Sequence, residues 1–281
     1  MLSYRHGYHA GNFADVFKHV VLLQLLHALQ RKPAPMFVLD THAGTGRYDL
    51  AAAEAIKNRE FVGGVQRAMQ CAGAPEAVGD YLARVRAENA EDETLRYYPG
   101  SPWLIRSLLR AQDRLALSEL HPADFAVLKR LFAGDRQVAA HRQDAYQGLK
   151  AFLPPPERRG LVLIDPPYER KDEYARVAAG LQAGYARWPT GVYAIWYPIL
   201  SRSLITRFHA AITATGIRKI LCVELRIGAD SACTAFIGSG MLIVNPPWPI
   251  QEDLAGLLPW LWRCLAPEGL GGQGVSWLVP E

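Results

Sequence analysis

Apolar positions near the start of the chain recur at helical spacing. Between residues 15 and 30, apolar side chains stand at positions 16, 17, 20, 21, 25, 26 and 29, and prolines follow at 33 and 35. Steps of three and four residues place these side chains on one face of a helix, which a proline cannot continue. The pattern therefore predicts a core-facing helix that ends before Pro33.

Short apolar runs then alternate with helical stretches along most of the chain. The first run, MFVLD at 36–40, leads into the glycine loop THAGTG, and we predict later strands at 115–119, 137–141, 161–165, 192–197, 219–226 and 234–244. Strands alternating with helices indicate a parallel sheet with helices on both faces. The link between the last two strands is too short for a crossover helix, so we expect them to pair antiparallel. The fold class predicted is α/β and Rossmann-like, with about seven mostly parallel strands and an antiparallel last strand.

Residues 50–98 interrupt this alternation. They are rich in Ala, Glu and Arg, follow a helical pattern and contain no convincing strand. We interpret them as a helical insertion subdomain within a single domain that spans residues 1–281. We expect the glycine-rich PEGLGGQG near the end of the chain to be flexible.

The composition is that of an ordinary soluble enzyme. The 281 residues are half hydrophobic and carry a net charge of +4, which tolerates a polyanionic partner without requiring one. The four cysteines, Cys71, Cys222, Cys233 and Cys264, have no metal-type spacing, and we expect them to be reduced thiols. The N-terminus lacks an apolar signal core, and the longest apolar run is interrupted by Gln and His. We therefore expect a cytoplasmic protein without a membrane span.

One acidic residue follows each of four consecutive predicted strands: Asp40, Glu119, Asp144 and Asp165. In an open parallel sheet, ligands bind at the carboxyl ends of the strands. Each acid alone is typical of a helix cap or a solvated turn, but the ordered series favours a nucleoside-type cofactor. Gly44, in the loop after the first strand, allows the backbone to approach such a ligand closely. The loop lacks the G-x-G-x-x-G pattern, which disfavours a nicotinamide enzyme.

The stretch LIDPPYE places Asp165, Pro166, Pro167 and Tyr168 at the end of the fourth strand. Each proline fixes its own φ and restricts the residue before it, so the turn is stiff. It aims the Asp165 carboxylate and the Pro166 carbonyl, both acceptors, in one direction. A rigid acceptor pair suits the planar amine of a nucleobase, and Tyr168 offers a flat face for stacking.

A similar stretch, LIVNPPWP at 242–249, makes Asn245 a rival for the catalytic position. It follows the antiparallel strand, so we expect Asn245 at the edge of the sheet opposite the cofactor. There the prolines are expected to form a turn, with Trp248 covering apolar surface.

Three stretches resemble one family. DPPY is the motif of amino-methyltransferases that use S-adenosylmethionine, and MLSYRHGYHAGNFADVFKH, DTHAGTGRYDL and LIDPPYE together resemble the RlmJ family. These bacterial enzymes methylate N6 of adenine 2030 in 23S ribosomal RNA. The resemblance implies S-adenosylmethionine as cofactor and 23S rRNA, protein-free or in an early assembly precursor, as substrate, acted on by a monomer. One departure is Thr45, where relatives often have Ala.

The resemblance also implies roles for individual residues. It implies cofactor contacts, beside those expected of Asp40 and Gly44, from His19, His42, Ser101, Glu119, Asp144, Ala145 and Asp165. It places Tyr4, His6 and Lys18 close to the reaction centre. From the sequence alone, Ser101 before Pro102 is typical of a helix N-cap, and Lys18 of a solvated lysine.

Several alternatives remain open at this stage. His6, His9, Asp15 and His19 lie close in sequence but lack a zinc-type pattern, so we expect no metal site. Trp196 and Tyr197 fit either the core or a base pocket. A DNA adenine-N6 or cytosine-N4 methyltransferase, or an RNA-binding module without chemistry, are the alternative functions.

Arginines and lysines flank the fourth strand on both sides. Arg170 and Lys171 follow DPPY at the catalytic end, and we expect them to contact RNA phosphates together with Tyr4. Arg158 and Arg159 precede the same strand and are expected to be ordinary surface charge. Acidic residues outnumber basic ones in 50–98, which disfavours that segment as the main RNA surface.

Overall fold

The computed structural model describes residues 4–91, 94–229 and 236–281. Within these ranges the strands, in chain order, are β1 (Phe37–Asp40), β2 (Arg47–Asp49), β3 (Tyr97–Pro99), β4 (Arg114–Ser118), β5 (Val138–His141), β6 (Gly160–Ile164), β7 (Val192–Ile199), β8 (Ile220–Arg226), β9 (Gly238–Val244) and β10 (Gly272–Val279). The helices are α1 (Phe13–Gln30), α2 (Ala53–Asn58), α3 (Arg67–Gln70), α4 (Glu76–Ala87), α5 (Ser101–Leu108), α6 (Pro122–Leu131), α7 (Ala145–Phe152), α8 (Glu173–Arg187), α9 (Arg202–Thr213) and α10 (Ile250–Leu265).

An eight-stranded sheet forms the centre of the molecule, in the spatial order β10-β8-β9-β7-β6-β1-β4-β5. The strands β5, β4, β1, β6 and β7 run parallel to one another, whereas β9 is antiparallel to both β7 and β8. The predicted α/β fold with a mostly parallel sheet and antiparallel pairing near the end is confirmed. The strand order reverses between β1 and β6, so the ends of these two strands flank a crevice suited to a ligand.

The sequence pattern does not predict one strand of this sheet, β10. β10 pairs antiparallel with β8 at the edge of the sheet. It begins at Gly272, so the expectation of a flexible segment is wrong for residues 272–274. Its side chains are mostly exposed or half-buried in no regular alternation, which removes the period-two signal on which a strand prediction depends.

Helix α1 is buried along almost its whole length, as its apolar spacing predicts. Asn12 caps it, since its side chain accepts hydrogen bonds from the amides of Ala14 and Asp15. Three polar residues, Asp15, Lys18 and His19, are nevertheless buried within it. Buried charges need partners, and those partners form the site described below.

The segment 50–98 contains α2, a π-helical turn (Val62–Gln66), α3 and α4. The expectation that it lacks a strand is wrong at its end, where β3 pairs with β2 in a small antiparallel sheet. Helix α4 packs against α1, and α3 packs against α10. These contacts support our proposal that the segment is an insertion within a single domain.

A disulfide joins Cys71 to Cys264 and links the insertion to α10. The expectation of reduced thiols is therefore wrong for this pair. Cys222 is free and buried, and Cys233 lies outside the described residues. Among the described helices, none is both long and apolar enough to span a lipid bilayer.

Candidate active site

A cavity of about 410 Å³ opens at the carboxyl ends of β1, β4 and β6. Its wall combines the N-terminal residues, one face of α1, the glycine loop and the DPPY turn. The predicted site residues that line it are Tyr4, His6, Lys18, His19, His42, Gly44, Ser101, Glu119, Asp144, Ala145, Asp165, Pro166, Pro167, Tyr168 and Arg170. Asp40 does not line it and is fully buried beneath. Lys171 is exposed and also lies outside the lining.

A continuous series of polar contacts crosses one side of the cavity. Lys18 Nζ lies 2.6 Å from Asp165 Oδ2 and 2.8 Å from Asp15 Oδ1. The other oxygen of Asp15 lies 2.9 Å from His6 Nε2, and His6 Nδ1 lies 2.8 Å from the Tyr4 hydroxyl. Asp15 and Lys18 are three residues apart on α1, so the helix itself aligns them. The series Tyr4–His6–Asp15–Lys18–Asp165 therefore connects residues 4–12, which we call the N-terminal arm, to the DPPY turn.

The charges in this series stabilise each other. Burial alone would lower the pKa of Lys18, but the Asp15 and Asp165 carboxylates outweigh it and raise that pKa above its ordinary value. Burial would raise the pKa of Asp15, but the neighbouring His6 and Lys18 side chains hold that pKa well below its usual range. Burial raises the pKa of Tyr4 well above its ordinary value. Lys18 is consequently a cation, Asp15 an anion and Tyr4 a neutral phenol. The expectation of a solvated Lys18 is wrong.

The DPPY turn holds Tyr168 in an unusual conformation. Its φ is 51°, in the left-handed region that an aromatic residue adopts only when the surroundings impose it. Its hydroxyl donates to the Trp196 carbonyl at 2.7 Å, and the two rings meet edge to face with centroids 5.8 Å apart. The ring of Tyr168 is thereby fixed in the cavity wall.

The structure separates the neighbouring aromatic residues Trp196 and Tyr197. Trp196 lines the cavity, and the Lys18 ammonium lies 5.6 Å from its ring centroid. Tyr197 is fully buried in the core, where its hydroxyl donates to Glu224 at 2.8 Å. Trp196 therefore belongs to the pocket and Tyr197 to the core.

The glycine loop and the end of β4 face the DPPY turn across the cavity. Gly44 has φ +58°, and a Cβ there would lie 2.2 Å from the Tyr48 hydroxyl, so only glycine fits. The Glu119 carboxylate accepts the amide of Gly44 at 2.8 Å and that of His121 at 2.7 Å. Burial raises the pKa of Glu119 above its ordinary value. Asp144 caps α7 by accepting the amides of Tyr146 and Gln147.

Asp40 supports the loop from below. Its carboxylate accepts the Ser101 hydroxyl at 2.6 Å and the His42 amide at 3.2 Å. Burial raises the pKa of Asp40 to about 7 and lowers that of His42 to about 4. The expectation that Ser101 caps a helix is wrong, because α5 begins at Ser101, the Gly100 before it occupies the cap position, and the Ser101 hydroxyl is bound to Asp40.

His19 lies on the inner wall beside Lys18. Its Nδ1 is 2.7 Å from the hydroxyl of Tyr98, which belongs to β3. Burial lowers the pKa of His19 to about 3, so its ring is neutral. His19 thus joins the small sheet to the cavity wall without adding charge.

Comparison with known proteins agrees with this geometry. The family model described as "Ribosomal RNA large subunit methyltransferase D, RlmJ" matches residues 33–279. The chain belongs to the RlmJ family. Two relatives named "Ribosomal RNA large subunit methyltransferase J" each align over 281 residues, covering 100% of both chains. The one from Haemophilus influenzae is 46% identical and the one from Escherichia coli 47% identical. The crystal structure of a Legionella pneumophila protein shares the fold, with a TM-score of 0.86, 34% identity and coverage of 95% of this chain and 97% of that one.

Membership of the RlmJ family confirms three expectations from the sequence: the family itself, methyl transfer as the reaction type, and S-adenosylmethionine as the cofactor. The cavity fits this cofactor in its chemistry. Carboxylates of Glu119, Asp144 and Asp165 line it, and these acceptors match a ligand rich in donors, with two ribose hydroxyls, an ammonium group and an exocyclic amine.

The second Pro-Pro stretch of this RlmJ chain, LIVNPPWP at 242–249, lies away from this cavity, as its position in the sequence predicts. β9 runs antiparallel to β7, and Val244 pairs with Tyr193 at the start of that strand, so Asn245 is at the opposite edge of the sheet. Its side chain donates to the carbonyls of Pro189 and Gly191, both at 2.8 Å. The expectation that Trp248 covers apolar surface is wrong, because this residue is 83% exposed.

The basic residues near β6 differ from the expectation in part. Arg170 is exposed at the mouth of the cavity and forms two hydrogen bonds with Asp172. Arg158 is exposed. Arg159 is not ordinary surface charge, because its guanidinium donates to the carbonyls of Leu29 and Ala34 and so ties the end of α1 to β6.

Sequence reasoning missed the importance of Asp15. The sequence indicates Asp15 only as a candidate metal ligand, whereas in the structure it binds His6 and Lys18. The available signal was an acid and a base three residues apart in an otherwise apolar helix.

In the part of the chain that the structure describes, one group has metal-type composition: His209, Cys222 and Glu224. The Tyr197 hydroxyl hydrogen-bonds to all three, at 3.0, 3.4 and 2.8 Å respectively, so they form a hydrogen-bonded cluster outside the cavity.

Proposed function

We propose that this chain transfers a methyl group from S-adenosylmethionine to N6 of an adenine in 23S ribosomal RNA. Both full-length relatives carry names that state a ribosomal RNA large-subunit substrate. The observation that carries the assignment to an amine is the Lys18–Asp165 ion pair beside two adjacent prolines. In this pair the Asp165 carboxylate is held rigidly in the wall of the cavity.

The ion pair decides which atoms receive the substrate amine. Lys18 occupies Asp165 Oδ2, while Oδ1 forms no hydrogen bond with any described residue. Oδ1 and the Pro166 carbonyl therefore remain as two acceptors in a stiff turn, one for each N–H of an exocyclic amine. The raised pKa of Lys18 keeps it protonated, so it holds Asp165 in place and does not itself accept a proton. Correct placement of a weakly nucleophilic amine supplies much of the rate acceleration.

The base is expected to stack on Tyr168, whose ring is fixed by the bond to Trp196. A base that stacks in a cavity cannot remain in a helix, so the target nucleotide turns out of its stack to reach the site. Tyr4, Arg170 and Lys171 are proposed to contact the RNA around it.

When bound, the cofactor supplies an electrophilic methyl group. We propose that His19, His42, Gly44, Ser101, Glu119, Asp144, Ala145 and Asp165 contact it. Asp40 acts one layer behind, by fixing the Ser101 hydroxyl and the His42 amide. From the family resemblance we also propose that the enzyme works as a monomer on rRNA that is protein-free or in an early assembly precursor. From the sequence pattern we propose that it works in the cytoplasm and without a metal ion.

One assay tests the substrate assignment. Methyl-labelled S-adenosylmethionine is offered with protein-free 23S RNA, intact large subunits and duplex DNA, and the labelled product is digested to nucleosides. We expect label in the free 23S RNA, as N6-methyladenosine, and little in intact subunits. Label in DNA but not in RNA supports the alternative DNA methyltransferase and contradicts the proposal. No label in any acceptor, with cofactor binding intact, supports a module without chemistry.

A further inference from the structure

We propose that Asp15 is a positioning residue that holds His6 in the tautomer with its proton on Nε2, orients the Tyr4 hydroxyl, and keeps Lys18 against Asp165. This inference rests on the proposed function, because its purpose is to connect the N-terminal arm to the amine-binding carboxylate. It assigns a role to a residue that does not itself touch the methyl acceptor.

Both carboxylate oxygens of Asp15 are engaged although the residue is only 2% exposed. Oδ1 accepts from Lys18 at 2.8 Å. Oδ2 accepts from the amide of Gly11 at 2.9 Å and lies 2.9 Å from His6 Nε2. A carboxylate with this many partners has one fixed orientation, and all its partners belong to the arm or to α1.

The ionisation of Asp15 gives the series a direction. An ionised carboxylate only accepts hydrogen bonds, so His6 Nε2 must donate to it. In a neutral imidazole, Nδ1 is then an acceptor, and the Tyr4 hydroxyl at 2.8 Å donates to it. The phenol oxygen of Tyr4 thereby keeps its lone pairs for an acceptor role in the cavity that Tyr4 lines. On the other side, Lys18 donates to both Asp15 and Asp165.

The position of Asp15 on α1 makes it the junction of two parts of the site. The arm, through Tyr4 and His6, reaches the DPPY turn through Asp15 and Lys18. Removing the negative charge of Asp15 therefore changes the orientation of the arm and the placement of Asp165 together, while the cofactor contacts on the other side of the cavity are untouched.

The variant Asp15→Asn tests this role with little change in volume. The asparagine amide can donate to His6 Nε2, which stabilises the opposite tautomer. We expect the single-turnover rate of methyl transfer to 23S RNA to fall by about 10²-fold or more, as when a positioned proton donor or acceptor is removed. We expect S-adenosylmethionine affinity to fall far less than this rate does. A folded Asp15→Asn protein with the wild-type rate overturns the inference.

A double variant separates positioning from general stability. Tyr4→Phe removes the last hydroxyl of the series, so Asp15→Asn added to it should cost little more than the larger single effect. Rate reductions that multiply independently overturn the inference. The control is Asp113→Asn, which changes an equally buried carboxylate. Asp113 accepts hydrogen bonds from the Met36 amide and the Arg110 guanidinium, at the end of β1 away from the cavity. It should leave the rate per folded molecule unchanged.

A spectroscopic readout keeps the inference testable if Asp15→Asn does not fold. In the wild-type protein with ¹⁵N-labelled histidine at pH 8, we expect the His6 ring to carry its proton on Nε2 alone. A ring with an unprotonated Nε2, or with protons on both nitrogens, overturns the inference. This measurement needs no methyl acceptor, so failure to methylate 23S RNA contradicts the proposed function without bearing on the tautomer.

Discussion

The ammonium of Lys18 lies 2.6 Å from Asp165 Oδ2, although the two residues are 147 positions apart in the chain. The contact joins the helix that precedes β1 to the turn that follows β6. Both residues are buried or nearly so, with 5% and 13% of the side chains exposed. Since a buried ion pair is costly to break from one side, this contact fixes the DPPY turn relative to α1.

Lys18→Ala tests what this ion pair does. The change leaves Asp15 and Asp165 facing each other without a cation, and we expect the free energy of unfolding to fall by about 3–5 kcal/mol. Among molecules that remain folded, turnover should fall far more than S-adenosylmethionine affinity does. Calorimetry and single-turnover assays on the same preparation measure the two effects. A cofactor affinity that falls in step with activity would make Lys18 a binding residue and contradict this account.

The N-terminal arm is attached to the insertion by a pair that titrates. The hydrogen bond that His9 donates to the Glu60 carboxylate raises the pKa of His9. Burial would raise the pKa of Glu60, but the bonds from His9 and Asn12 lower it. The stabilising contribution of His9 is complete below its unfolded pKa and is lost as the pH rises through the raised folded value. The stabilising contribution of Glu60 is lost as the pH falls through its lowered folded-state pKa. The arm is thus held most firmly between these two pKa values.

Hydrogen exchange of residues 4–12, corrected for intrinsic pH dependence, checks this window. We expect protection to decrease above the raised pKa of His9, and Glu60→Gln to abolish that dependence. Glu76→Gln, on the exposed start of α4, is the matched control.

We also expect the protection of the arm from hydrogen exchange to increase when cofactor and RNA bind, with Tyr4 closing over the site. Equal protection in every ligand state speaks against closure.

Asp40 and Asp113 should give pH dependences of opposite sign. Burial raises the pKa of Asp40 from 3.8 to about 7, so the folded state favours its protonated form and stability falls as the pH rises between these values. For Asp113, burial is outweighed by bonds from Arg110, which lower the pKa. Its contribution is present above 3.8 and is lost as the pH falls through the lowered value.

Replacing each acid by asparagine separates the two effects. Asp40→Asn should remove a decline on the order of a few kcal/mol between about pH 4 and 7, since each pKa unit corresponds to about 1.4 kcal/mol. Asp113→Asn should lower stability at neutral pH and leave that decline in place. Urea unfolding at a series of pH values measures both. A wild-type slope retained in Asp40→Asn would assign the decline to other groups.

Arg170 and Lys171 are expected to bind RNA phosphates. Replacing both by alanine should weaken binding of 23S RNA. It should also reduce the slope of log affinity against log salt by ~0.7 for each phosphate of a single strand that is no longer neutralised. Arg158→Ala, at the other edge of the sheet, should leave the slope unchanged. Equal slopes for all three proteins would show that the RNA backbone runs elsewhere.

The parts of the site that could be predicted from the sequence are those set by local chemistry. The strand-end acids and the stiff turn at Asp165 depend on residues adjacent in the chain, and all but Asp40 reach the cavity. Asp15 and Lys18 could not be assigned this way, because their partners come from the arm and from the turn after β6. The prediction that Ser101 caps a helix was wrong because its hydroxyl binds the buried Asp40 carboxylate and not the backbone amides at the start of α5. β10 was not predicted because its side chains are exposed or half-buried in no regular alternation.

The central claim is that the Asp165 turn, and not its twin at Asn245, is the site of adenine methylation. Asp165→Ala removes the Oδ1 acceptor and the partner of Lys18, so the folded protein should bind S-adenosylmethionine but fail to transfer its methyl group. Asn245→Ala removes two hydrogen bonds and places alanine at φ 53°, in the left-handed region. It should lower the free energy of unfolding by about 1–2 kcal/mol.

The decisive measurement is the initial rate of label transfer to protein-free 23S RNA, per folded molecule, for wild type and these two variants side by side. We predict a rate at background for Asp165→Ala and close to wild type for Asn245→Ala. An active Asp165→Ala beside a folded but inactive Asn245→Ala would contradict the site and the function proposed for it.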